Sequence, residues 1–359
     1  MPASRPTLES LATELGVSRQ TVWNVVNRPS VVAEPTRERV AAAISAAGYV
    51  PSRAGRHLRT QRSHAIGIRL MPTFDGINGH IGDTFLHELA EHAHRSDYRL
   101  ALFAAATETE EIATYARMRA ANEIDGVVLT STRIGDARID WLVRHDIPFV
   151  SFGRPWSREA DPAEAPHDWV DIDGAAGTEA VTRRLRAYGH ARIGYLSWPA
   201  QPDVGGDRLA GWQRAMRDAL GDPDLAALSA ECSDDVTDAR RAAEELLDRG
   251  VTALVCASDT LALGAHAAVD ARGSTIPHVP IVGFDDTPVA RALGLSSVAQ
   301  PVVRAARTSV SLLVRRLAGE RPPEHILLRP TPVYRDSEIA TPPFPANVET
   351  IQEEEINQP

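Results

Sequence analysis

Apolar positions recur at helical spacing in three short stretches at the start of the chain, then give way to short β-rich runs. Leu8, Leu11, Ala12 and Leu15 share one face of a first helix that Thr7 can cap. Gly16-Val17-Ser18 forms a tight turn, and Ser18 is placed to cap a second helix carrying Thr21, Val22, Val25 and Val26. Asn27-Arg28-Pro29-Ser30 breaks the pattern. A third helix is expected from about Pro35, tolerated in a first turn, to Ala47, with Val40 and Ile44 inward and Gly48 ending it. From residue 63 the period changes. Strands are predicted at 65–70, 98–104, 126–130, 148–152, 169–173, 192–197, 253–258 and 278–284, separated by helix-length segments such as 85–95, 110–121, 174–188, 207–219 and 237–249. That alternation predicts an α/β body of two parallel-sheet subdomains behind a small all-α head. Residues 341–359, with Pro342, Pro343, Pro345 and Glu353-Glu354-Glu355, read as a disordered acidic tail.

Composition changes this picture in one respect. The chain has 359 residues, 43% of them hydrophobic, enough for two or three proper cores. Every one of the 38 basic residues is arginine. Residues 1–62 carry a net +5, whereas the remainder carries −15. A basic head on an acidic body points to a head that meets a polyanion and a body that stays in solution. Cys232 and Cys256 are too few for a disulfide framework. Neither a secretory signal nor a run of about 18 apolar residues is visible, so a cytoplasmic protein with no membrane partner is expected.

Ala12-x-x-x-Gly16-Val17-Ser18 between two amphipathic helices is a helix-turn-helix spacing: Ala12 allows close approach and Gly16 permits the turn. The second helix would enter the major groove and present Arg19, Gln20, Trp23 and Asn24. Arg and Gln are suited to bidentate contacts with guanine and adenine. On these residues alone, a protein-contact or capping module with a solvated Arg19 and Gln20 fits as well.

The continuation favours DNA. Thr36-Arg37-x-Arg39-Val40, Ala46-Ala47-Gly48-Tyr49-Val50-Pro51 and Ser52-Arg53-Ala54-Gly55-Arg56-His57-Leu58-Arg59-Thr60 resemble the head of the LacI/GalR family of transcriptional regulators. The resemblance implies a helix-turn-helix domain at 1–50 and, at 51–62, a hinge helix that folds on DNA. DNA contacts would come from Thr7, Ser18, Arg19, Gln20, Thr21, Trp23, Asn24, Asn27, Ser52, Ala54, Gly55 and Leu58. Leu58 matches the residue that wedges a central base step from the minor groove, and Ala54 and Gly55 would let two hinge helices meet. The chain departs from the family at Trp23-Asn24, where Ser-Arg is frequent, so the operator half-site cannot be transferred from relatives. It departs also at Ala33, which replaces a capping Ser, and at Gly55, where Ala is usual.

The resemblance runs over roughly residues 6–338. It rests in the body on Asp173-Gly174-x-x-Gly177, Leu185-x-x-x-Gly189-His190-x-x-Ile193, Arg208-Leu209-Ala210-Gly211-Trp212, Ser258-Asp259-x-x-Ala262-Leu263-Gly264, Val282-Gly283-Phe284-Asp285-Asp286 and Ser297-Val298-Ala299-Gln300-Pro301. It implies an effector domain at 63–340 of periplasmic-binding-protein type. Its N-subdomain would span about 63–167 and 298–326 and its C-subdomain about 168–297 and 327–340, with three crossovers and a ligand in the cleft. The matching positions suit a polyol: Arg208 offers a rigid donor fork, Asp285 paired acceptors and Gln300 both functions. Ser258 stands where sugar-binding relatives carry Asn. Phe85, Arg154 and Trp169 complete the expected effector site, with Trp156 and Trp198 as further aromatic candidates and Trp212 assigned to the core.

Two motifs are set aside. His87-Glu88-Leu89-Ala90-Glu91-His92 spaces its histidines by five, not the four a zinc-protease helix needs, and reads as surface pairs His87–Glu91 and Glu88–His92. Gly76-x-x-Gly79-x-x-Gly82 lacks the first interval of a dinucleotide fingerprint. Nothing calls for a cofactor, a metal or a catalytic residue. The expected protein is a homodimeric repressor of carbohydrate uptake or degradation genes. It would bind a near-palindromic double-stranded operator and be released by a mono- or oligosaccharide. The rivals are a corepressor-type regulator sensing a purine or phosphorylated metabolite and, against the basic head, a transporter's solute-binding protein.

Overall fold

The computed structural model describes residues 6–49, 62–70, 79–156, 161–199, 203–220, 224–273, 277–336 and 339. The expected hinge, apart from Arg62, and the acidic tail lie outside these residues. The chain divides into two compact units, Met1–Ser63 and His64–Pro359.

The first unit contains α1 (Leu8–Leu15), α2 (Arg19–Asn27), a 3-10 turn (Pro29–Val31) and α3 (Glu34–Ala46). Leu11, Ala12, Val22, Val25 and Val40 form its core. Both predicted caps are present. Thr7 Oγ1 accepts from the Ser10 amide at 3.1 Å, and the Thr7 amide donates to Ser10 Oγ at 2.8 Å. Ser18 Oγ accepts from the Thr21 amide at 3.0 Å. Gly16 turns the chain at φ +62°, a backbone state that costs glycine nothing. Ala33 gives α3 no side-chain cap, and Pro35 in the first turn fixes the helical φ instead.

The second unit holds two parallel sheets. In the first lobe β1 (Ala65–Arg69), β2 (Arg99–Phe103), β3 (Gly126–Thr130), β4 (Phe149–Phe152), β5 (Asp168–Ile172) and β11 (His325–Leu328) lie in the order β11-β5-β4-β3-β1-β2. Successive side chains of these strands face opposite ways. Ile66, Ile68, Val128, Val150 and Val170 pack on α4 (Gly79–Arg95) and on α12 (Val302–Leu317). Val127, Leu129 and Phe149 pack on α5 (Glu108–Ala120) and α6 (Ala137–Arg144). Covering both faces explains why these strands read as nearly continuous apolar runs.

The second lobe has β6 (Ile193–Ser197), β7 (Ser229–Glu231), β8 (Ala253–Cys256) and β9 (Ile281–Val282) in the order β7-β6-β8-β9. Around them lie α7 (Gly174–Ala187), α8 (Val204–Leu220), α9 (Val236–Asp248), α10 (Asp259–Arg272) and the short α11 (Pro288–Ala292). Trp212 is fully buried here and donates to the Ile193 carbonyl, the core position expected of it. β10 (Ser297–Ala299) and β12 (Thr331–Val333) form an antiparallel pair, and the chain passes between lobes three times, after β5, β10 and β11.

Several expectations need correction. The strand starting at 168 belongs to the first lobe, because β5 is hydrogen-bonded between β4 and β11, with Trp169 opposite His325. Read locally, it sits directly before the Asp173-Gly174 helix start and so looked like the opening of the second lobe. Likewise Val298 packs in the second lobe's core, and β11 keeps residues to Leu328 in the first. Of 278–284 only Ile281–Val282 pair as a strand, since Pro280 brings no amide to the ladder. In the His87–His92 stretch, Glu91 pairs with Arg95 at 2.5 Å and Glu88 with Arg307 of α12 at 3.0 Å. His87 instead bonds the Asp83 carbonyl and His92 the Ser311 hydroxyl, because guanidinium groups outcompete imidazoles for these carboxylates. Among the described residues no helix is long and apolar enough to cross a membrane.

The contact of α7 with α8 places the residue that matters most for the cleft. A Cβ on Gly211 would stand 2.0 Å from the Ala175 carbonyl oxygen and 2.3 Å from Thr178 Oγ1. That hydroxyl donates to the Arg208 carbonyl at 2.6 Å. Helix propensity alone favours Ala over Gly by about 1 kcal/mol. Overpacking should nonetheless make Gly211→Ala less stable by about 2 kcal/mol, read as a lower urea midpoint for the body. A raised midpoint would show that the two helices can part without cost.

Candidate functional site

In the first unit, α2 buries Val22 and Val25 and turns the opposite side outward. Arg19 and Gln20 are exposed, while Thr21, Trp23 and Asn24 are half-buried. Gln20 Nε2 donates to Asn24 Oδ1, one turn on, at 3.1 Å, which holds both amides in a fixed relation. Thr7 and Ser18 are exposed at the starts of α1 and α2, with their side chains committed to the caps described above. Burial raises the Tyr49 hydroxyl's pKa, and the positive charge of Arg19 opposes that shift. The side chain of Asn27, and all of Ser52, Ala54, Gly55 and Leu58, lie outside the described residues.

In the second unit a cavity of about 700 Å³ opens at the carboxyl ends of the first lobe's strands, the usual ligand position of open α/β sheets. Thr130, Phe152 and Asp171 line it from the strand ends, Phe85 from α4, and Arg208, Asp234 and Gln300 from the other side. Phe85 stacks on Phe152 with centroids 4.4 Å apart.

Arg208, on α8, is only 5% exposed. Its Nη1 donates to the Ala257 carbonyl, its Nη2 lies 3.5 Å from Asp285 Oδ1, and its guanidinium carbon is 3.7 Å from the Phe284 ring centroid. Trp198 approaches the same group at 5.2 Å. Arg208 Nε is buried and has no partner. Gln300 Nε2 donates to Asp285 Oδ1 at 2.5 Å. Three of the expected residues thus form one chain, Arg208–Asp285–Gln300, of which Arg208 and Gln300 reach the cavity. Asp285 stands behind them at φ +111°, next to Asp286 at φ +52°. Backbone of this kind persists only when its surroundings over-determine it. Here the Asp285 amide donates to the Val298 carbonyl, Asp286 N to Ser297 Oγ and Thr287 N to Asp259 Oδ2.

The other expected residues have different places. Ser258 is fully buried: its hydroxyl donates to Asp234 Oδ1 at 2.6 Å and caps α10 through the Leu261 amide. It orients Asp234 and does not line the cavity. Trp169 is buried in β5, donates to the Pro162 carbonyl and stacks on His325, so the aromatic next to the Asp173 island is a sheet residue with no access to the cleft. Arg154 is likewise absent from the cavity wall. Its Nε bonds Asp171 Oδ2 at 2.5 Å and its Nη2 lies 3.3 Å from Asp207 Oδ2 on α8, so it bridges the lobes. Burial raises the Asp207 carboxyl's pKa, and Arg154 and the Ala175 amide pull it back. Trp156 lies against Arg154 and Trp198 against Arg208, each behind the wall. Sequence reasoning missed Asp234: its neighbour Asp235 caps α9, whereas Asp234 faces the cavity. It missed Phe152 and Asp171 as well, both at strand ends, the usual ligand position of such sheets. Among the described residues no group of three or more His, Cys, Asp or Glu could hold a metal ion.

Comparison with known proteins matches two families: "Bacterial regulatory proteins, lacI family" over residues 7–52, and "Periplasmic binding proteins and sugar binding domain of LacI family" over residues 83–319. A relative in Thermobifida fusca, the HTH-type transcriptional regulator CelR, is 34% identical over 88% of this chain and 93% of its own. The crystal structure of a LacI-family regulatory protein from Chloroflexus aggregans, 36% identical, superposes with a TM-score of 0.70, covering 77% of this chain and 98% of that one. A complex of the regulator CelR with cellobiose, 29% identical, superposes with a TM-score of 0.67 over 93% of this chain and all of that one.

The cleft carries a pH signature. Burial pushes the Asp285 carboxyl up to about 7, against the pull of Arg208 and Gln300. The unfolded chain releases this proton near the ordinary 3.8, so between there and about 7 the folded state holds more protons. Its stability therefore falls as pH rises through that window and levels off above it. Asp285→Asn removes this dependence. Chemical denaturation at pH 5 and pH 7.5 should show the variant gaining on the wild type at the higher pH. A stability difference independent of pH would mean that Asp285 ionises in the fold as it does in the unfolded chain.

Proposed function

Because this chain belongs to the LacI family of bacterial transcriptional regulators, we propose that it represses carbohydrate uptake or degradation genes and releases its operator when a mono- or oligosaccharide fills the cleft. It is a DNA-binding regulator and not an enzyme. It acts in the cytoplasm as a homodimer on a near-palindromic double-stranded operator. Each head presents Arg19, Gln20, Trp23 and Asn24 to a half-site, and residues 51–62 meet at the centre with Leu58 as the wedge.

The observation that carries the sugar reading is the Arg208–Asp285–Gln300 chain at the cavity wall. It presents a buried donor with an unsatisfied Nε next to an amide that can both donate and accept. Vicinal hydroxyls need that combination. Arg208, Arg154 and Arg69 belong to the cleft region, but Arg154 is paired with two carboxylates and Arg69 with Glu111, which neutralises much of their charge toward a phosphate. The cellobiose complex of a regulator that superposes over 93% of this chain adds weight to a saccharide. Release requires that the saccharide bind the DNA-free arrangement more tightly, and about 1–3 kcal/mol of coupling is typical of such regulators.

Fluorescence anisotropy on the gene's own upstream DNA, at fixed salt because phosphate contacts make affinity steeply salt-dependent, tests the proposal. Cellobiose and other mono- and disaccharides are added in turn. One of them should release the DNA from the wild type but not from Arg208→Ala, whose operator affinity should be intact. Tightening by a purine or a phosphorylated metabolite, with indifference to every sugar, would replace the reading with a corepressor. Leu58→Ala should weaken operator binding by tenfold or more, about 1.4 kcal/mol, and non-specific binding much less. Equal losses on both DNAs would remove Leu58 from the minor groove.

A further inference from the structure

A second cavity, of about 720 Å³, opens on the first lobe and shares no lining residue with the cleft. One side is α6, through Ile139, Asp140, Val143 and Arg144; the other is the segment entering β5, through Asp161, Pro162, Glu164, Ala165, Pro166 and His167. That segment is pinned from behind. Asp161 Oδ1 caps a 3-10 turn (Pro162–Glu164) by accepting from the Ala163 amide at 2.9 Å, and Trp169 Nε1 donates to the Pro162 carbonyl. His325 Nε2 donates to the Ala165 and His167 carbonyls, each at 3.1 Å.

The polar groups of this cavity are mostly acceptors. Pro162 and Pro166 have no amide to offer, and the amides between them are spent: Ala163 on Asp161 Oδ1, Glu164 on the Asp161 carbonyl and Ala165 on the Pro162 carbonyl. Asp140, Asp161 and Glu164 supply three carboxylates against the single guanidinium of Arg144. His167 adds a buried acceptor. Its ring, 3% exposed, stacks on Phe149, and its Nε2 lies 3.1 Å from Ser151 Oγ. The hydroxyl hydrogen of Ser151 goes to the Gly153 carbonyl, so Nε2 carries the imidazole hydrogen and Nδ1 keeps a bare lone pair. Burial, with His325 adding to it, holds the ring's pKa down to about 4 and keeps it neutral. That Nδ1 has no partner among the described residues, a costly state for a buried acceptor. Among the described residues these side chains do not converge as a metal site does.

We propose that this cavity is a second ligand site, for a small organic cation of the alkylguanidinium or alkylammonium class. One N–H group meets His167 Nδ1, the charge rests between Glu164 and Asp161, and the alkyl stem runs along Ile139, Val143 and Pro155. Val143 is 41% exposed and leaves apolar surface at the mouth for that stem. An anion would meet the carboxylates, and a neutral donor would forgo their attraction. The volume lies in the range of small-molecule sites.

Calorimetry on the full-length protein tests this with agmatine, putrescine, n-butylammonium and n-butylguanidinium. The control is n-butylurea, which keeps the shape of n-butylguanidinium and loses its charge. The cations should bind at one site per chain, and n-butylguanidinium at least about tenfold more tightly than n-butylurea, as hydrogen bonds from a charged donor imply. Added salt should weaken the cations, because the rim carboxylates are exposed. Glu164→Gln should weaken them about threefold. His167→Phe, which keeps a ring on Phe149 and drops Nδ1, should weaken them at least about tenfold. Both variants are checked by thermal melting, and Glu164→Gln, on the surface, keeps the test open if His167→Phe melts early. Arg208→Ala, in the cleft, should leave these affinities unchanged. Absence of binding by every cation up to about 10 mM, or equal affinity for n-butylurea and n-butylguanidinium, would overturn the proposal. Binding untouched by Glu164→Gln and His167→Phe but lost in Arg208→Ala would put the cation in the cleft and overturn the second site.

Discussion

A guanidinium carried into a cleft between two sheets loses most of its contact with water, so its neighbours must hold it and must themselves be held. Arg208 is kept by the Ala257 carbonyl, by the Phe284 ring and by Asp285, whose carboxylate in turn takes the Gln300 amide. These partners come from three parts of the chain: the end of β8, the loop after β9 and the crossing after β10. Removing one member of such a buried pair leaves the other uncompensated, which costs far more than the pair itself contributes. The left-handed backbone at Asp285 and Asp286 follows from the same demand, since the carboxylate has to reach a group arriving from α8.

The first lobe solves a similar problem away from the ligand. Arg138 is 2% exposed and bonds Asp136, Glu111 and the Ser131 carbonyl, while Glu111 also receives Tyr115 and Arg69. Ser131, at φ +54°, lies on the cavity wall, so this network fixes the loop after β3 from behind. Arg154 joins the lobes through Asp171 and Asp207. The cleft is therefore framed by Arg69, Arg138, Arg154 and Arg208, of which Arg69 and Arg208 also line the cavity.

Charge divides the labour along the chain. The head, at +5, has a small apolar core and spends its helix-start hydroxyls on caps, and Arg19 and Gln20 of α2 stay exposed. The acidic body gives no general attraction to a polyanion, so the charge that suits DNA lies in the head.

Much was determined by the sequence alone. Short-range rules act between residues a few positions apart, and they are legible as such: the caps at Thr7 and Ser18, the turn at Gly16, the strand–helix alternation and the opposition of a basic head to an acidic body. The motif islands likewise led to Arg208, Asp285 and Gln300. Tertiary structure decided what depends on partners remote in sequence. Trp169 looked like a stacking platform until β11, about 150 residues away, proved to pair with its strand and cover it. Arg154 looked like a clamp for the ligand until Asp171 and Asp207 claimed it, and Ser258 became the support of Asp234. The composition of the cavity wall had no local signature. It arises because the ends of parallel strands and the starts of distant helices converge on one volume, and which side chains meet there is set by topology.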